Sequence, residues 1–206
     1  MAGAHHSTPS GSEKRWELIR AAYRLIAERG FEGLRVQDVA AFAGMNHATL
    51  YHYFPTKEDL IWGVVEYLRQ ELTTPLVDVD DVDYTTPLGI IRSMFLATHY
   101  RLQETPELIM VLSELILRST RNPAIQSALK EMDSRWYAFL KHTLLTGMQQ
   151  GVFRADLDPD QTATELMVLQ RGVINLSFTC PDLISLKHII SDIEKLIIVE
   201  QGEEGC

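Results

Sequence analysis

The stretch from Val36 to Lys57 constrains the fold more than any other part of the chain, because it specifies two short helices joined by a tight turn. Val36, Val39 and Ala40 recur at i, i+3 and i+4, so the first helix has one apolar face. Gly44 follows where this helix must end, since glycine enters the left-handed backbone region without a steric cost. The sequence therefore predicts a helix, a sharp turn and then a second helix.

The second helix follows Asn46, whose side-chain oxygen can accept from the free backbone N–H groups there. Leu50 and Phe54, four residues apart, predict its buried side, and Pro55 ends it because the residue before proline avoids helical geometry. The remaining faces carry small, hydroxyl and aromatic side chains: His47, Ala48, Thr49, Tyr51, His52 and Tyr53. Solubility alone would favour Lys and Glu on such a helix. These side chains instead suit contacts with base edges in the major groove of DNA.

From about Trp16 to Leu68, roughly a quarter of the chain, the sequence resembles the DNA-binding domain of the TetR family of transcriptional regulators. The matching residues are Ala21-Ala22, Gly30-Phe31, Asp38-Val39-Ala40, Ala43-Gly44-Met45, Thr49-Leu50-Tyr51, Phe54, Lys57-Glu58 and Leu60. A glycine between two short helices is common, whereas this ordered combination is specific. The resemblance implies an all-α fold, with an N-terminal helix-turn-helix domain followed by a larger helical ligand-binding and dimerisation domain.

The resemblance also implies DNA contacts for particular residues. Tyr51 and Lys57 match family positions that bind phosphate through a hydroxyl and an ammonium group, and Thr49 and His52 are candidates for base-edge or backbone contacts. Ala48 could approach a thymine methyl group, or its small size could simply permit close docking. The full set of predicted DNA-binding residues is Arg35, Gln37, Asn46, His47, Ala48, Thr49, Tyr51, His52 and Lys57.

Arg35 departs from the family pattern, which usually has Ser or Thr at the entry to the second helix of the domain. An arginine side chain cannot accept from backbone N–H groups, so the helix loses its cap, and Asp38 in the first turn compensates only in part. The positive charge gives Arg35 a reason to be there if it contacts the phosphate backbone.

Charge is unevenly divided along the chain, and the net positive part is the N-terminal one, in agreement with an N-terminal DNA-binding segment. The net charge is −9, but residues 1–57 carry seven Lys and Arg against five Asp and Glu, a net of +2. Residues 58–206 carry twelve against twenty-three, a net of −11. Phosphate repels an acidic body, so only the N-terminal part is expected to face a duplex.

Three segments are predicted: a disordered tail over 1–12, a helix-turn-helix domain over 13–57, and a ligand-binding and dimerisation domain over 58–206. Thr56 is expected to cap a helix that links the two domains as a rod from Glu58 to Leu72. In the larger domain a polar residue before proline marks the helix starts: Thr86-Pro87, Thr105-Pro106, Asn122-Pro123, Asp158-Pro159 and Cys180-Pro181. No strand pattern is convincing, so the predicted fold is all-α.

Large apolar side chains recur at helical spacing in the larger domain, where an ordinary core explains each of them singly. The resemblance implies a cavity there, and Met and aromatic side chains suit an apolar or amphipathic effector. The predicted ligand-binding residues are Phe95, His99, Met110, Trp136, Phe139 and Arg171. For His99 the sequence favours a satisfied core histidine over a ligand contact. For Arg171 it favours a structural partner, Glu165 or a glutamate of another helix, over an anionic ligand group.

Two C-terminal helices, Asp160–Ser177 and Leu183–Val199, carry more Ile and Leu than a monomer surface would explain. They are predicted to pair with their copies in a homodimer as a four-helix interface, in which Gly172 allows close approach. The predicted interface residues are Leu169, Gly172, Val173, Leu176, Ile189, Ile190, Ile193 and Ile197. The alternative is that both helices close the core of a monomer.

No motif of an enzyme, a cofactor site or a metal site is found. A Gly-rich phosphate loop, HExxH, CxxC and GxSxG are all missing, and His47 and His52 are five residues apart, which does not place them on one helix face. Two cysteines, no signal peptide and no apolar run of about 18–20 residues are typical of a cytoplasmic protein.

The sequence therefore predicts a ligand-responsive transcriptional regulator, a repressor that binds a palindromic operator as a homodimer and is released by a small-molecule effector. In this hypothesis the effector shifts the rod, so that the two helix-turn-helix segments no longer match successive major grooves. The alternative is an architectural DNA-binding protein without an effector, although such a protein needs neither an acidic body nor an aromatic-rich helical domain.

Overall fold

The computed structural model of the chain describes residues 11–76 and 83–198, and these residues are almost entirely helical. Nine α-helices and two short 3-10 helices, η1 and η2, are found in this described part, with an isolated antiparallel bridge between Phe153 and Ile198. In chain order the elements are α1 (Gly11–Arg29), η1 (Phe31–Gly33), α2 (Val36–Phe42), α3 (His47–Tyr53), α4 (Lys57–Thr73), α5 (Pro87–Glu104), α6 (Pro106–Ser119), α7 (Pro123–Gln149), α8 (Pro159–Thr179), η2 (Pro181–Leu183) and α9 (Leu186–Ile197). The all-α prediction is confirmed. Of the predicted N-terminal tail, Gly11 and Ser12 begin α1, and the other residues lie outside the described ones.

Helices α5, α6, α7 and α8 begin at the predicted proline positions. Side-chain caps explain three of these starts. Thr86 Oγ1 accepts from the Gly89 N–H at 3.0 Å, and Asn122 Oδ1 accepts from the first turn of α7 at 3.0 and 3.1 Å. Asp158 Oδ1 caps α8 in the same way, at 2.9 and 3.2 Å. Proline then occupies a first-turn position whose N–H would have no partner within the helix.

The pair Cys180-Pro181 does not begin the last helix, so this prediction is wrong. Pro181–Leu183 forms only η2, and Ile184 is extended (φ −93°, ψ 112°), which interrupts the helical path. Helix α9 begins at Leu186, after Ser185, whose side chain makes no capping hydrogen bond. The predicted last residue of this helix, Val199, lies outside the described residues.

Contacts between helices divide the chain into two compact units. Of the described residues, 11–73 and Met110–Met132 belong to unit 1, and 74–76, 83–109 and 133–198 belong to unit 2. Helix α4 belongs to unit 1, whereas the sequence places the domain boundary before it, between residues 57 and 58. The functional division into a DNA-binding and a ligand-binding domain stays a prediction.

Helices α1 and α4 form the centre of unit 1. Both contribute aliphatic side chains that are at most 1% exposed: Leu18, Ile19, Leu25, Leu60, Ile61, Val64 and Leu68. Gly63 of α4 permits close contact between the two helices, since a Cβ atom there would lie 2.9 Å from Ile19 Cγ1. This pair of helices supports α2 and α3, because α2 contacts both α1 and α3.

The core of unit 2 is built from α5, α7, α8 and α9. Its buried members are Ile91, Phe95, Leu140, Leu144, Phe153, Ala163, Leu166, Val173, Ile193 and Ile197. Helix α7 ends just before Gly151, which has φ 70°. The Val152 N–H donates to Gly147 O at 2.9 Å and the Gly151 N–H to Met148 O at 3.0 Å, which satisfies the last carbonyls of the helix. None of the helices in residues 11–76 and 83–198 is long and apolar enough to span a membrane.

Candidate nucleic-acid interface

The turn between α2 and α3 has the geometry that the sequence predicts. Gly44 adopts φ 65°, in the left-handed region. The Met45 N–H donates to Ala40 O at 2.8 Å and the Gly44 N–H donates to Ala41 O at 3.0 Å. These two bonds close the end of α2 in a Schellman motif, and they fix the direction in which the chain leaves it.

Asn46 caps α3, as predicted. Its Oδ1 atom accepts from the Thr49 N–H at 2.8 Å and from the Thr49 hydroxyl at 2.9 Å. The carbonyl oxygen of Asn46 and the hydroxyl proton of Thr49 are therefore used within the protein. The amide N–H groups of Asn46 and the lone pairs and methyl group of Thr49 stay available for DNA.

The exposed side of α3 is small and aromatic, and it carries no Lys or Glu. Leu50 and Phe54 are each 1% exposed and hold the helix on the protein, whereas His47, Ala48 and His52 are exposed and Tyr51 is 51% exposed. The rings of His47 and Tyr51 meet edge to face, with centroids 6.4 Å apart. Helix α3 thus presents imidazole donors and acceptors, a phenolic hydroxyl and a methyl group outward, which are the groups that base edges and phosphates pair with.

Arg35 and Gln37 lie at the start of α2, and both are exposed. Arg35 is the N-cap residue and makes no side-chain capping bond, so the predicted loss of the cap is confirmed. Asp38 lies in the first turn of α2, where its negative charge can partly compensate for the missing cap. Its Oδ2 atom lies 3.8 Å from Arg29 Nη1. The Arg35 guanidinium remains at the surface as a cation available to phosphate.

Lys57 is the first residue of α4 and is half-buried. The predicted Thr56 cap is confirmed, because Thr56 Oγ1 accepts from the Asp59 N–H at 3.1 Å and Asp59 Oδ2 accepts from the Thr56 N–H at 3.0 Å. Lys57 Nζ donates to Leu34 O at 3.2 Å and lies 4.9 Å from the centroid of the Phe31 ring. An ammonium group has three donors, so Lys57 can hold this carbonyl and still bind a phosphate oxygen.

The six predicted ligand-binding residues are not gathered into one enclosed site. Phe95 is fully buried in the core of unit 2 and Trp136 packs against that core. Phe139 is 52% exposed, and Met110 belongs to unit 1 and is 50% exposed. His99 is also exposed, with a ring nitrogen 3.2 Å from Gln103 Nε2, so the preferred interpretation as a core histidine is wrong. Its position on α5 turns the side chain outward, one residue beyond the buried Thr98.

Arg171 makes a structural ion pair, as the sequence favours, but with a different partner. Its Nη2 atom lies 2.6 Å from Asp133 Oδ1 of α7, and its guanidinium carbon lies 5.8 Å from the centroid of the Trp136 ring. Glu165 instead accepts from Gln161 Nε2 at 2.8 Å. Burial raises the pKa of the Asp133 carboxyl, and the Arg171 charge opposes this shift. Asp133 is 38 residues away in sequence, so no local pattern could identify it as the partner.

The predicted interface residues divide into two groups by burial. Val173, Ile193 and Ile197 lie in the core of their own unit, so their side chains are accounted for without a partner. Ile189 and Ile190 pack against the same core. Leu169 and Leu176 are 42% and 44% exposed, and Gly172 between them is exposed. No other side chain and no other element lies within 4 Å of a Cβ atom placed at Gly172. The outward residues of α8 therefore form the part of the set that a second copy could cover.

Two known protein families match two separate parts of the chain. The family described as bacterial regulatory proteins, tetR family, matches residues 18–62, and the tetracyclin repressor-like C-terminal domain matches residues 118–191. The HTH-type transcriptional repressor KstR2 of Mycobacterium tuberculosis is 26% identical over 152 residues, which are 72% of this chain and 74% of that protein.

Two solved structures agree with these matches. A TetR transcription regulator from Haloarcula marismortui has a TM-score of 0.76 at 22% identity, over 91% of this chain and 100% of that one. A transcriptional regulator from Saccharomonospora viridis, in complex with choline, has a TM-score of 0.69 at 26% identity, over 91% of this chain and 99% of that one. With the helix-turn-helix geometry of α2 and α3, these matches establish that the chain belongs to the TetR family of DNA-binding transcriptional regulators.

Proposed function

We propose that this regulator is a homodimeric repressor that binds a palindromic operator and is released from it by a small-molecule effector. The observation that carries the proposal is the exposed face of α3, in which His47, Ala48, Tyr51 and His52 face outward from a helix fixed by the Asn46 cap. The relative KstR2 is itself a transcriptional repressor, which supports repression as the direction of control.

In the proposed complex α3 enters the major groove with its N-terminal turn foremost, which brings His47 and Ala48 nearest the bases. Thr49 and His52 contact base edges, while Tyr51, Lys57 and Arg35 contact phosphates. Base contacts set the sequence preference, and phosphate contacts set the register and most of the salt dependence. Two copies of α3 in a dimer, about 34–36 Å apart, would then bind two half-sites one helical turn apart.

The outward residues of α8 support the dimer. Leu169, Gly172 and Leu176 follow one another at intervals of three and four residues, so they lie along one side of the helix. A glycine in the middle of this stripe lets two backbones approach closely, and the flanking leucines supply apolar area that is exposed in the single chain.

The effector is proposed to bind in unit 2. A shallow crevice there is lined by Leu88, Ile91, Phe95, Ile190 and Ile193, with Arg92 and Glu194 also part of its wall. The crevice has no room for a water molecule, so an effector would have to displace side chains to enter. Two relatives support a small organic ligand: one structure holds choline, and KstR2 is described as a ketosteroid transcriptional regulator.

The DNA part of the proposal is tested by selecting duplexes from a randomised library with the wild-type protein and measuring their affinity by fluorescence anisotropy. A palindromic consensus bound by two protomers is expected. His52→Ala and Thr49→Ala should change the preferred bases at a few positions, whereas His142→Ala, an exposed histidine of α7, should not. Equal affinity for every duplex would instead favour an architectural DNA-binding protein.

The effector part is tested by native mass spectrometry of the purified protein, which identifies small molecules that co-purify with it. The affinity for such a molecule is then measured by calorimetry with and without a saturating selected duplex. A coupling of ~1–3 kcal/mol would change DNA affinity some 5–150-fold, and by reciprocity the duplex must weaken the ligand by the same factor. Equal ligand affinities in the two titrations would rule out control of DNA binding through this molecule.

A further inference from the structure

The short helix η1 is held by residues of α6 that follow it by more than eighty positions. The Phe31 N–H donates to Glu114 Oε1 at 3.4 Å, across 83 residues of sequence. Arg118 Nε donates to the same carboxylate oxygen at 3.1 Å, and Arg118 Nη1 also donates to Glu32 Oε1 of η1. All four residues belong to unit 1.

Glu114 supplies the N-terminal cap that η1 lacks. The first N–H groups of a helix have no partner within it, and the residue before η1 is Gly30, which has no side chain to cap with. Glu114 accepts the Phe31 N–H in place of a local cap. The start of η1 therefore depends on where α6 lies.

Lys57 holds the other end of η1. The carbonyl of Leu34, the C-cap residue, accepts from Lys57 Nζ at 3.2 Å. The Phe31 ring, 8% exposed, lies within cation–π range of both cations, 4.9 Å from Lys57 Nζ and 5.8 Å from Arg118 Cζ. One aromatic ring thus contacts the α6 arginine and the lysine at the start of α4.

Helix η1 leads directly into Arg35 and α2, so its position also sets where the helix-turn-helix begins. Glu114 and Arg118 lie four residues apart on α6, so they contact η1 from one side of that helix.

We propose that Glu114 and Arg118 are positioning residues for DNA binding, which hold η1, Arg35 and the Lys57 ammonium in the arrangement that contacts phosphate. The proposal rests on the proposed function, since it assigns Arg35 and Lys57 to the DNA backbone. It gives the helix-turn-helix a contact with α6 through η1, beside its packing against α1. Both residues lie outside Trp16–Leu68, the segment in which the sequence resembles the family's DNA-binding domain.

The ion pairs themselves are too exposed to act mainly through stability. The Arg118 and Glu32 side chains are 32% and 78% exposed, and ion pairs at such sites contribute little to folding. These ion pairs instead contribute to orientation. The Arg118 guanidinium bonds Glu114 of α6 and Glu32 of η1 at the same time, which restrains the angle between the two helices.

The test compares Arg118→Ala and Glu114→Ala with Arg121→Ala, which removes the same charge as Arg118→Ala from an exposed position three residues later. The first readout is anisotropy with a duplex selected by the wild-type protein. Roughly tenfold weaker binding is expected for Arg118→Ala and Glu114→Ala, within the usual range of coupling between sites, and less than about twofold for Arg121→Ala. The second readout is amide hydrogen exchange of the DNA-free protein, in which protection at Phe31 and Leu34 should fall in the first two variants only.

Each outcome decides the proposal. Wild-type affinity in Arg118→Ala and Glu114→Ala overturns it, as does weaker binding that Arg121→Ala shares, because charge alone would then explain the effect. If amide protection at Phe31 and Leu34 falls but the affinity for DNA is unchanged, Glu114 and Arg118 act only on the fold of η1, and the proposal is wrong. If Arg118→Ala fails to fold, Glu32→Ala breaks the same ion pair from its exposed end and must weaken binding. If the wild-type protein selects no duplex, the proposed function is wrong. If it selects one but the variants bind that duplex as the wild type does, only the proposal about the α6 contact is wrong.

Discussion

Lys57 has two contacts within the fold and a further one in the proposed DNA complex. Within the fold its ammonium donates to Leu34 O at 3.2 Å and lies 4.9 Å from the Phe31 ring centroid. Neither contact uses all of its donors, and the residue is only half-buried. A phosphate oxygen can therefore bind without the internal contacts being broken, which suits a lysine whose position must be fixed before DNA arrives.

We expect Lys57→Ala to weaken binding to every duplex by a similar factor, because a phosphate contact carries no sequence information. The slope of log affinity against log salt should become shallower by about one, the value for one lost phosphate contact. Lost contact with the Leu34 carbonyl should also lower the free energy of unfolding by about 1 kcal/mol. Anisotropy titrations across a salt series, with urea unfolding of the free protein, measure both effects.

The matched control for Lys57→Ala is Lys187→Ala, which removes the same charge from an exposed position on α9. This control should leave the salt slope unchanged. A Lys57→Ala variant that keeps the wild-type slope but is less stable would assign Lys57 to the fold alone. A changed base preference in Lys57→Ala would contradict the division between phosphate and base contacts.

At the level of elements, the helix-turn-helix could be predicted almost completely, because local residues set its ends. Gly44 stops α2, Asn46 caps α3 and the residue before Pro55 ends it, and each of these effects acts within four residues. The same holds for the starts of α5, α7 and α8, where a capping side chain precedes proline. Boundaries are predictable where the chain supplies its own cap.

Elements that depend on distant residues could not be predicted in this way. Helix α9 begins without a side-chain cap, and its Ile193 and Ile197 pack into the core of unit 2 against residues distant in sequence. The partner of Arg171 is 38 residues away and the partner of the Phe31 N–H is 83 residues away. Periodicity identifies apolar side chains but not which surface covers them, so Val173 is predicted to be in the interface although it is buried within its own unit.

Gly147 is a helix glycine whose importance only the structure shows. Glycine inside a helix normally costs about 1 kcal/mol relative to alanine. Here a Cβ atom would lie 2.1 Å from Cδ2 of the buried Phe153 ring. We expect Gly147→Ala to destabilise the protein by about 1–3 kcal/mol through overpacking, measured by urea unfolding. In a Phe153→Ala background the same change should be neutral or stabilising, and equal losses in both backgrounds would contradict the steric explanation.

Asp83 fixes the chain in front of α5, and this contact should depend on pH. Its carboxylate accepts from the Thr85 N–H at 2.7 Å and from the hydroxyls of Thr85 and Thr86 at 2.6 and 2.7 Å. The hydrogen bonds from Thr85 and then Thr86 lower the pKa of Asp83. The unfolded chain then binds the proton more tightly, so the stabilisation is complete above the ordinary value of 3.8 and is lost as pH falls through the lowered pKa.

We therefore expect Asp83→Asn to be less stable than the wild type at pH 7, with a difference that shrinks as the pH is lowered below about 4. Urea unfolding of both proteins at a series of pH values gives this difference directly. Asp182→Asn, an exposed aspartate of η2, serves as the control for a general change in charge. A difference between Asp83→Asn and wild type that grows toward low pH would reverse the sign and contradict the assignment.

For the whole molecule, the proposed function requires two copies of α3 at a fixed separation, and the outward side of α8 is the proposed means of holding them. In a two-fold symmetric interface each residue contributes twice, so one substitution changes both sides. Leu169 and Leu176 are 42% and 44% exposed in the single chain. Glutamate at both positions would place four carboxylates in the interface, where desolvation and repulsion oppose association.

We expect the Leu169→Glu, Leu176→Glu double variant to sediment as a monomer at micromolar concentration and to keep the helical circular dichroism of the wild type. A monomer gains only one half-site, so its affinity for the selected palindrome should fall by at least about 100-fold, the usual scale of the avidity lost. Its affinity for a duplex with a single half-site should be unchanged.

The control is Leu145→Glu, which adds a charge at a position on α7 that is 37% exposed. This variant should stay dimeric. A double variant that remains a dimer would place the interface elsewhere. A monomer that still binds the palindrome like the wild type would show that a dimer formed by α8 is not what spaces the two copies of α3.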